Sequence, residues 1–334
     1  MARVPARHSS WHSTLLAGAA ASCGLLGLAA ARGDPLLVRN ESMLTLPYGL
    51  PGVLPARLSA RGDGSAALVM NWANTLTIDD TDGQDLHLDG ETQEFRGVLD
   101  YGIAPKFAVH GELAWRHLSG GSLDGFISDW HSAFGLPYGE RHDVPPNQLR
   151  ISYTENGKQL LYIDQAGSGL ADIPVSLGYQ IFSSDRSALA TWFTVKAPVG
   201  TAKDLTGSEA TDLAITVAGT TQLAERWQLF GQADLTRLGR GKIMPEIQED
   251  YVWSALGGLT WNPWRGLDLT VQINANSKIF RASSTHVGGN AVVLGFGGDY
   301  RTANGWRFDL GFDEDLQNKA SPDIVINLAA RHGF

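Results

Sequence analysis

The chain of 334 residues contains a single cysteine, Cys23, and only 18 % of its residues are charged, with acid in excess of base. The cysteine lies in a stretch that reads as a secretory signal peptide. Arg3 and Arg7 form a basic start, an apolar run covers Leu15 to Leu28, and Ala29 to Ala31 supply the small residues before cleavage. Removal of residues 1–31 leaves no thiol, which excludes disulfide frameworks, cysteine metal sites and cysteine nucleophiles. A lipoprotein reading of Cys23 meets Ala20 where a larger aliphatic residue is usual. Arg3 and Arg7 leave with the signal, so 24 basic residues face 35 acidic ones, a net charge of −11. Such a surface is poorly suited to nucleic acid. After Leu28 no run approaches the roughly 18 apolar residues of a transmembrane helix.

Glycine and aromatic residues are plentiful: 39 Gly, 10 Trp, 8 Tyr and 12 Phe. From Leu68 onward the dominant pattern is period two, which sends alternate side chains to opposite faces of a strand. Leu267, Leu269, Val271, Ile273 and Ala275 alternate with Asp268, Thr270, Gln272, Asn274 and Asn276. Trp306, Phe308, Leu310 and Phe312 alternate with Arg307, Asp309, Gly311 and Asp313. Weaker copies centre on Met70, Leu99, Val109, Leu177, Phe193, Ile215, Leu229, Ala255 and Phe296, and a last strand starts at Ile324. That makes twelve.

The connections alternate in length. Short turns fall at Gly102–Lys106, Ser183–Arg186, Gln222–Arg226, Asn262–Gly266 and Thr302–Gly305. Long loops fall at Asp79–Gly90, His117–Gly169, Pro198–Ala210, Arg237–Glu249, Ser277–Gly288 and Glu314–Pro322. Short turns at one end, long loops at the other and an even strand number describe an outer-membrane barrel of a Gram-negative bacterium. Tyr101, Phe107, Phe182, Trp227, Trp261, Trp264, Tyr300 and Trp306 crowd the short turns, as an interfacial aromatic girdle requires. The expected fold is an all-β, twelve-stranded antiparallel transmembrane barrel over residues 65–334. Phe334 closes the last strand and resembles the assembly signal of outer-membrane proteins, which makes the barrel-assembly machinery and outer-membrane lipid expected partners.

Two segments stand apart. Residues 32–64 carry Pro47, Pro51 and Pro55 without alternation, so they cannot extend the sheet. A periplasmic lead-in is the favoured reading and a plug in the lumen the other. The external loop 118–169 holds Leu123, Phe126, Ile127, Trp130 and Phe134 at helical spacing behind Ser122, predicting an amphipathic helix over 122–134. With His131, these residues are expected to form a lid or constriction. Asn156-Gly157 predicts a hairpin between 150–154 and 159–163.

Alternation sends Arg96, Asp100, His110, Glu112, Arg116, Asp212, Asp234, Asp268, Asp299, Arg301, Arg307, Asp309 and Arg331 into the lumen. Mixed charge leaning acidic suits either a pore for small cations and neutral solutes or a closed salt-bridge network. His117, His131, His142, Asp124, Asp129 and Asp143 lack any recognised ligand spacing, and Asp79, Asp80, Asp82, Asp85 and Asp89 depart from an EF-hand. No metal, cofactor or catalytic residue is expected.

The runs Leu88–Glu91, Ser119–Ile127, Trp130-His131, Phe134–Pro137 and Gly139–Arg141 resemble a family of Gram-negative envelope proteins catalogued as domain of unknown function 3187. Arg39-Asn40, Tyr48–Pro51 and Gly167–Asp172 resemble it too. The resemblance implies an outer-membrane location and carries no activity. The leading expectation is a constricted channel for small solutes rather than an enzyme. The alternatives are an outer-membrane hydrolase of lipid or polysaccharide, with Ser and His paired on the lipid face, and a closed structural barrel.

Overall fold

The computed structural model describes residues 33–81, 83–134, 144–317 and 320–334. The expected signal peptide lies outside them, as do Asp82, His142 and Asp143 and the side chains of Phe126, Trp130, His131 and Phe134.

The elements are β1 (Gly64–Thr81), β2 (Gln84–Ala104), β3 (Phe107–Ser119), α1 (Leu123–Phe134), β4 (Arg150–Glu155), β5 (Lys158–Ile163), β6 (Gly167–Leu170), β7 (Ile173–Ser183), β8 (Ser187–Ala197), β9 (Asp212–Ala224), β10 (Trp227–Arg237), β11 (Tyr251–Trp264), β12 (Leu267–Asn276), α2 (Thr285–Gly288), β13 (Ala291–Arg301), β14 (Arg307–Gln317) and β15 (Ile324–Gly333). Twelve of the strands, β1 to β3 and β7 to β15, form a closed antiparallel barrel. β15 returns to β1 in the register Leu68↔Ala330 and Trp72↔Ile326, and Gly64 and Phe334 exchange backbone hydrogen bonds of 2.8 and 2.9 Å at the seam. Closure leaves the wall no free edge. The other three strands are short additions at the long-loop end. β4 takes the place of β3 beside β2 (Leu86↔Tyr153), β5 pairs β4, and β6 pairs the end of β3 (Trp115↔Leu170). Asn156 and Gly157 both have positive φ, 50° and 75°, as the two-residue β4–β5 turn demands.

Alternation becomes two unlike faces. Outward side chains such as Leu68, Ile215 and Val271 are more than half exposed, a belt that only hydrocarbon can cover. At the short-turn end Trp227 stacks on Trp261 (5.8 Å), Phe107 meets Tyr179 (5.2 Å) and Trp306 meets His332 (4.9 Å). No helix among the described residues is long and apolar enough to cross a membrane; strands do the crossing.

One connection differs from expectation. Asp79–Gly90 is not a long loop, because β1 and β2 continue past the belt and are separated by only two residues. Added pairing from β4 on the far side of β2 supports this projecting ribbon.

The occupied lumen as candidate functional site

Residues 33–58 run inside the barrel, and 59–63 lead from its short-turn mouth to β1. Their prolines and lack of alternation keep them out of the wall, so their backbone groups find partners in lumen side chains. The rising limb starts at the short-turn mouth, where Asp34 pairs with Arg307 of β14 and lies 3.8 Å from Arg331 of β15. Higher up, Leu37 O accepts from Arg96 (2.8 Å), Arg39 faces Glu94 and Glu112 (3.5 and 3.7 Å), and Glu41 accepts from Asn71 (2.7 Å). Asn40 reaches Asn276, at the long-loop end of β12 (3.0 Å). The chain then turns through residues 43–48 and descends. Pro47 O accepts from Lys196 (3.1 Å), Gly49 N donates to Asp212 (2.8 Å), and Pro55 O accepts from Trp192 (2.9 Å). Arg57 donates to Ser184 O in a short turn (2.6 Å), and Gly62 N donates to Gly102 O (2.9 Å) before β1 begins.

Three wall glutamines treat this segment as a strand would. Gln272 accepts from Leu36 N (3.1 Å) and donates to Leu36 O (3.4 Å). Gln232 accepts from Leu54 N (2.9 Å) and donates to Gly52 O (2.8 Å). Gln180 accepts from Leu58 N (2.8 Å) and donates to Ala56 O (2.9 Å). A primary amide carries the same donor and acceptor pair as a peptide unit, so each glutamine stands in for one rung of a ladder.

The structure gathers the inward charges into two networks and two separate sites. On β2 and β3, Arg96 pairs with Glu112 (3.2 Å), Arg116 with Glu94 (2.7 Å), and His110 bridges Asp100 (2.8 Å) and Glu112 (3.3 Å). On β12 to β15, Arg307 meets Asp299 (2.6 Å) and Asp268 (3.6 Å), Arg331 meets Asp309 (2.5 Å), and Arg301 lies 3.9 Å from Asp268. Asp234 stands apart, accepting from Thr216, Ser254 and Gln232. Asp212 shares the buried Lys196 ammonium with Asp172. Arg39 joins the first network and Asp34 the second.

The long-loop end is closed by packing. Met43, Leu44 and Tyr48 of the segment's turn join Leu86, Tyr153, Ile243, Met244 and Phe280 in one apolar cluster. Glu155 ties the β4–β5 hairpin to the loop after β12, and hydrogen bonds from Ser283 hold its carboxyl below the usual range. Below this cap voids of about 20 and 30 Å³ lie beside the segment, and a cavity of about 380 Å³ lies near the short-turn mouth.

Helix α1 stands elsewhere than expected. Its first amides, Ser122 N and Leu123 N, are capped by Glu91, and Asn74 donates to Asp124 (3.1 Å). Glu91 and Asn74 are cross-strand partners on the outward face, three residues from the inward pair Asn71↔Glu94. The first turn of α1 therefore leans on the outside of the β1–β2 ribbon, with Leu123 and Ile127 buried, rather than crossing the bore. Glu91 rather than Ser122 supplies the cap. Gly121 permits this approach: its φ is +73° and a Cβ there would sit 1.8 Å from the Glu91 carboxyl carbon.

A family model described as a protein of unknown function, DUF3187, matches residues 28–334. The chain belongs to the DUF3187 family. No curated protein matches it by sequence. Among solved structures, the COG4313 outer membrane channel from Pseudomonas putida F1 is similar with a TM-score of 0.55 and 12 % identity, over 84 % of this chain and 100 % of that one. The NanC porin gives 0.45 at 10 % identity, over 80 % and 98 %. At such identity the likeness is one of fold, an outer-membrane barrel.

In this DUF3187 protein, sequence reasoning looked for inward charges and passed over Gln180 and Gln232, although alternation alone sends both inward. His117 faces outward at the long-loop end, with Ser168 as its cross-strand partner on β6. Among the described residues no three His, Cys, Asp or Glu side chains gather as a metal site.

Proposed function

We propose that this DUF3187 protein is an outer-membrane channel for small polar solutes, closed at rest by its own residues 33–58. One observation carries the reading. The bore is wide enough for two passes of chain, and what fills it is a separate segment held by side-chain hydrogen bonds and ion pairs, not interlocked wall side chains. A barrel built only as a scaffold would fill its lumen from the wall. With the segment withdrawn, the wall would present more carboxylates than cations, favouring small cations and neutral solutes. The segment and the apolar cap supply the constriction that α1 was expected to form.

The test is single-channel conductance in a planar bilayer, comparing the folded chain without its signal peptide to a variant that also lacks residues 33–58. The former should be nearly silent and the latter should conduct with cation preference. A deletion variant that folds, shown by heat-modifiable migration, and stays silent would overturn the reading.

A second reading, a hydrolase of outer-leaflet lipid, is favoured by the outward His117–Ser168 pair, since such chemistry needs a serine beside its base. Ester hydrolysis that disappears in Ser168→Ala would establish it.

A further inference from the structure

The wall turns its cations inward, with one exception. Of the lysines and arginines in the twelve wall strands, Arg96, Arg116, Lys196, Arg301, Arg307 and Arg331 sit at lumen-facing positions. Arg237, the last residue of β10, faces outward and is exposed. Its cross-strand partners are Leu213 of β9 and Tyr251 of β11, and two residues down the strand Leu235 lies between Ile215 and Trp253. All five of these side chains are exposed, so the arginine stands above a lipid-facing apolar patch at the long-loop end. Among the described residues none forms a hydrogen bond or ion pair with the Arg237 guanidinium.

The loop after β10 adds a second cation and a groove. About 450 Å³ of space is lined by Arg237, Arg240, Thr211, Leu213, Asp250 and Tyr251. The loop backbone beneath it is fixed. Leu238 N donates to Asp250 O (2.9 Å), Gly239 N donates to Asp212 (2.8 Å), and Gly239 O accepts from Gln248 (2.8 Å). Gly239 passes so near β9 that a Cβ there would lie 2.4 Å from Thr211 O. Arg240 is exposed, donates to Pro245 O (3.2 Å), and lies 3.7 Å from the Asp250 carboxylate, beyond hydrogen-bond reach. A guanidinium has five N–H donors, so one such bond leaves most of them free for a ligand.

An arginine over hydrocarbon lays its stem on the apolar surface and keeps its head at the headgroup layer. The anion of that layer is phosphate, which a guanidinium binds through two parallel hydrogen bonds. Long loops mark the external end of the barrel, and the outer leaflet there is built from acylated, phosphorylated sugars. Free phosphate would use the arginines and leave the apolar patch idle, whereas such a lipid uses both. We propose that Arg237 and Arg240 bind the phosphate of one outer-leaflet glycolipid, with its sugar in the groove and its acyl chains along Leu235, Ile215 and Trp253. Asp250 opposes the phosphate and competes for Arg240. The site lies on the outer wall and does not depend on whether the bore conducts.

The test is native mass spectrometry of the folded chain without its signal peptide, delipidated in detergent and titrated with diphosphorylated lipid A. One saturable adduct is expected, at lower concentration than for a phosphate-free galactosyl diacylglycerol. Arg237→Gln should weaken it about tenfold or more, as loss of charged hydrogen bonds does. Asp250→Asn should tighten it about threefold, the scale of an exposed charge. Lys158→Gln, which removes a charge from the β4–β5 hairpin, should change nothing. Arg240 lies beyond the wall, so weakening in Arg240→Gln decides the matter should Arg237→Gln fail to assemble. Equal binding of the phosphate-free lipid, unaltered binding in either arginine variant, or weaker binding in Asp250→Asn would overturn the proposal. Displacement of the lipid by inorganic phosphate at equal concentration would overturn it too, since the acyl chains would then contribute nothing. Bound lipid is read here, not current, so a silent channel would leave this result untouched.

Discussion

The two ends of the barrel are shut by different physics. At the long-loop end the turn of the inner segment is packed among loop side chains, with Tyr48 edge-on to Phe280 at 5.7 Å. Toward the short-turn end the same segment is held by directed polar contacts around a cavity of about 380 Å³. Packing yields little to a single hydrogen-bond change, whereas a polar clamp depends on each partner. In the channel proposed above, the outer end would be the firm barrier and the inner limbs its adjustable part.

Substitutions at the two ends should separate these roles. The largest effect is expected from Phe280→Ala, which empties a side chain 1 % exposed at the centre of the outer cluster and should cost about 3–5 kcal/mol locally. Hydrogen exchange should then quicken at Leu46 and Tyr48, whose amides close the segment's turn, while Leu58 keeps its protection. An intermediate effect is expected from Gln232→Leu, which removes both hydrogen bonds to Gly52 and Leu54 and should cost about 1–3 kcal/mol. Leu54 should exchange faster and the turn should not. Equal loosening at both ends in either variant would break the comparison. The smallest effect is expected from Lys158→Ala, whose exposed pairing with Glu246 should leave every protection factor unchanged.

The strands were legible because a membrane wall imposes one rule on every residue. Lipid on one side and polar groups on the other make Leu267–Asn276 and Trp306–Asp313 alternate without exception, and the length of every connection but that between β1 and β2 marks its end of the barrel. Where two strands leave the membrane that rule lapses. Asp79–Gly90 resembles a loop because it is rich in aspartate, yet pairing with β4, roughly 60 to 70 residues on, keeps it extended. Helix α1 was equally legible as a helix, while its side of the wall was not. Period 3.6 names an apolar face but not the surface that covers it, and Glu91 made that choice.

Sequence alone determined the number of strands in the barrel wall, their faces and the polarity of the interior, since these follow from local alternation and turn chemistry. Only the tertiary structure decided what occupies that interior. A proline-bearing segment without periodicity carries no local signal of its destination, and its partners Gln180, Gln232 and Gln272 lie 122 to 236 residues away along the chain. Closing the wall brings them together, and a backbone with no strand to pair with is satisfied there.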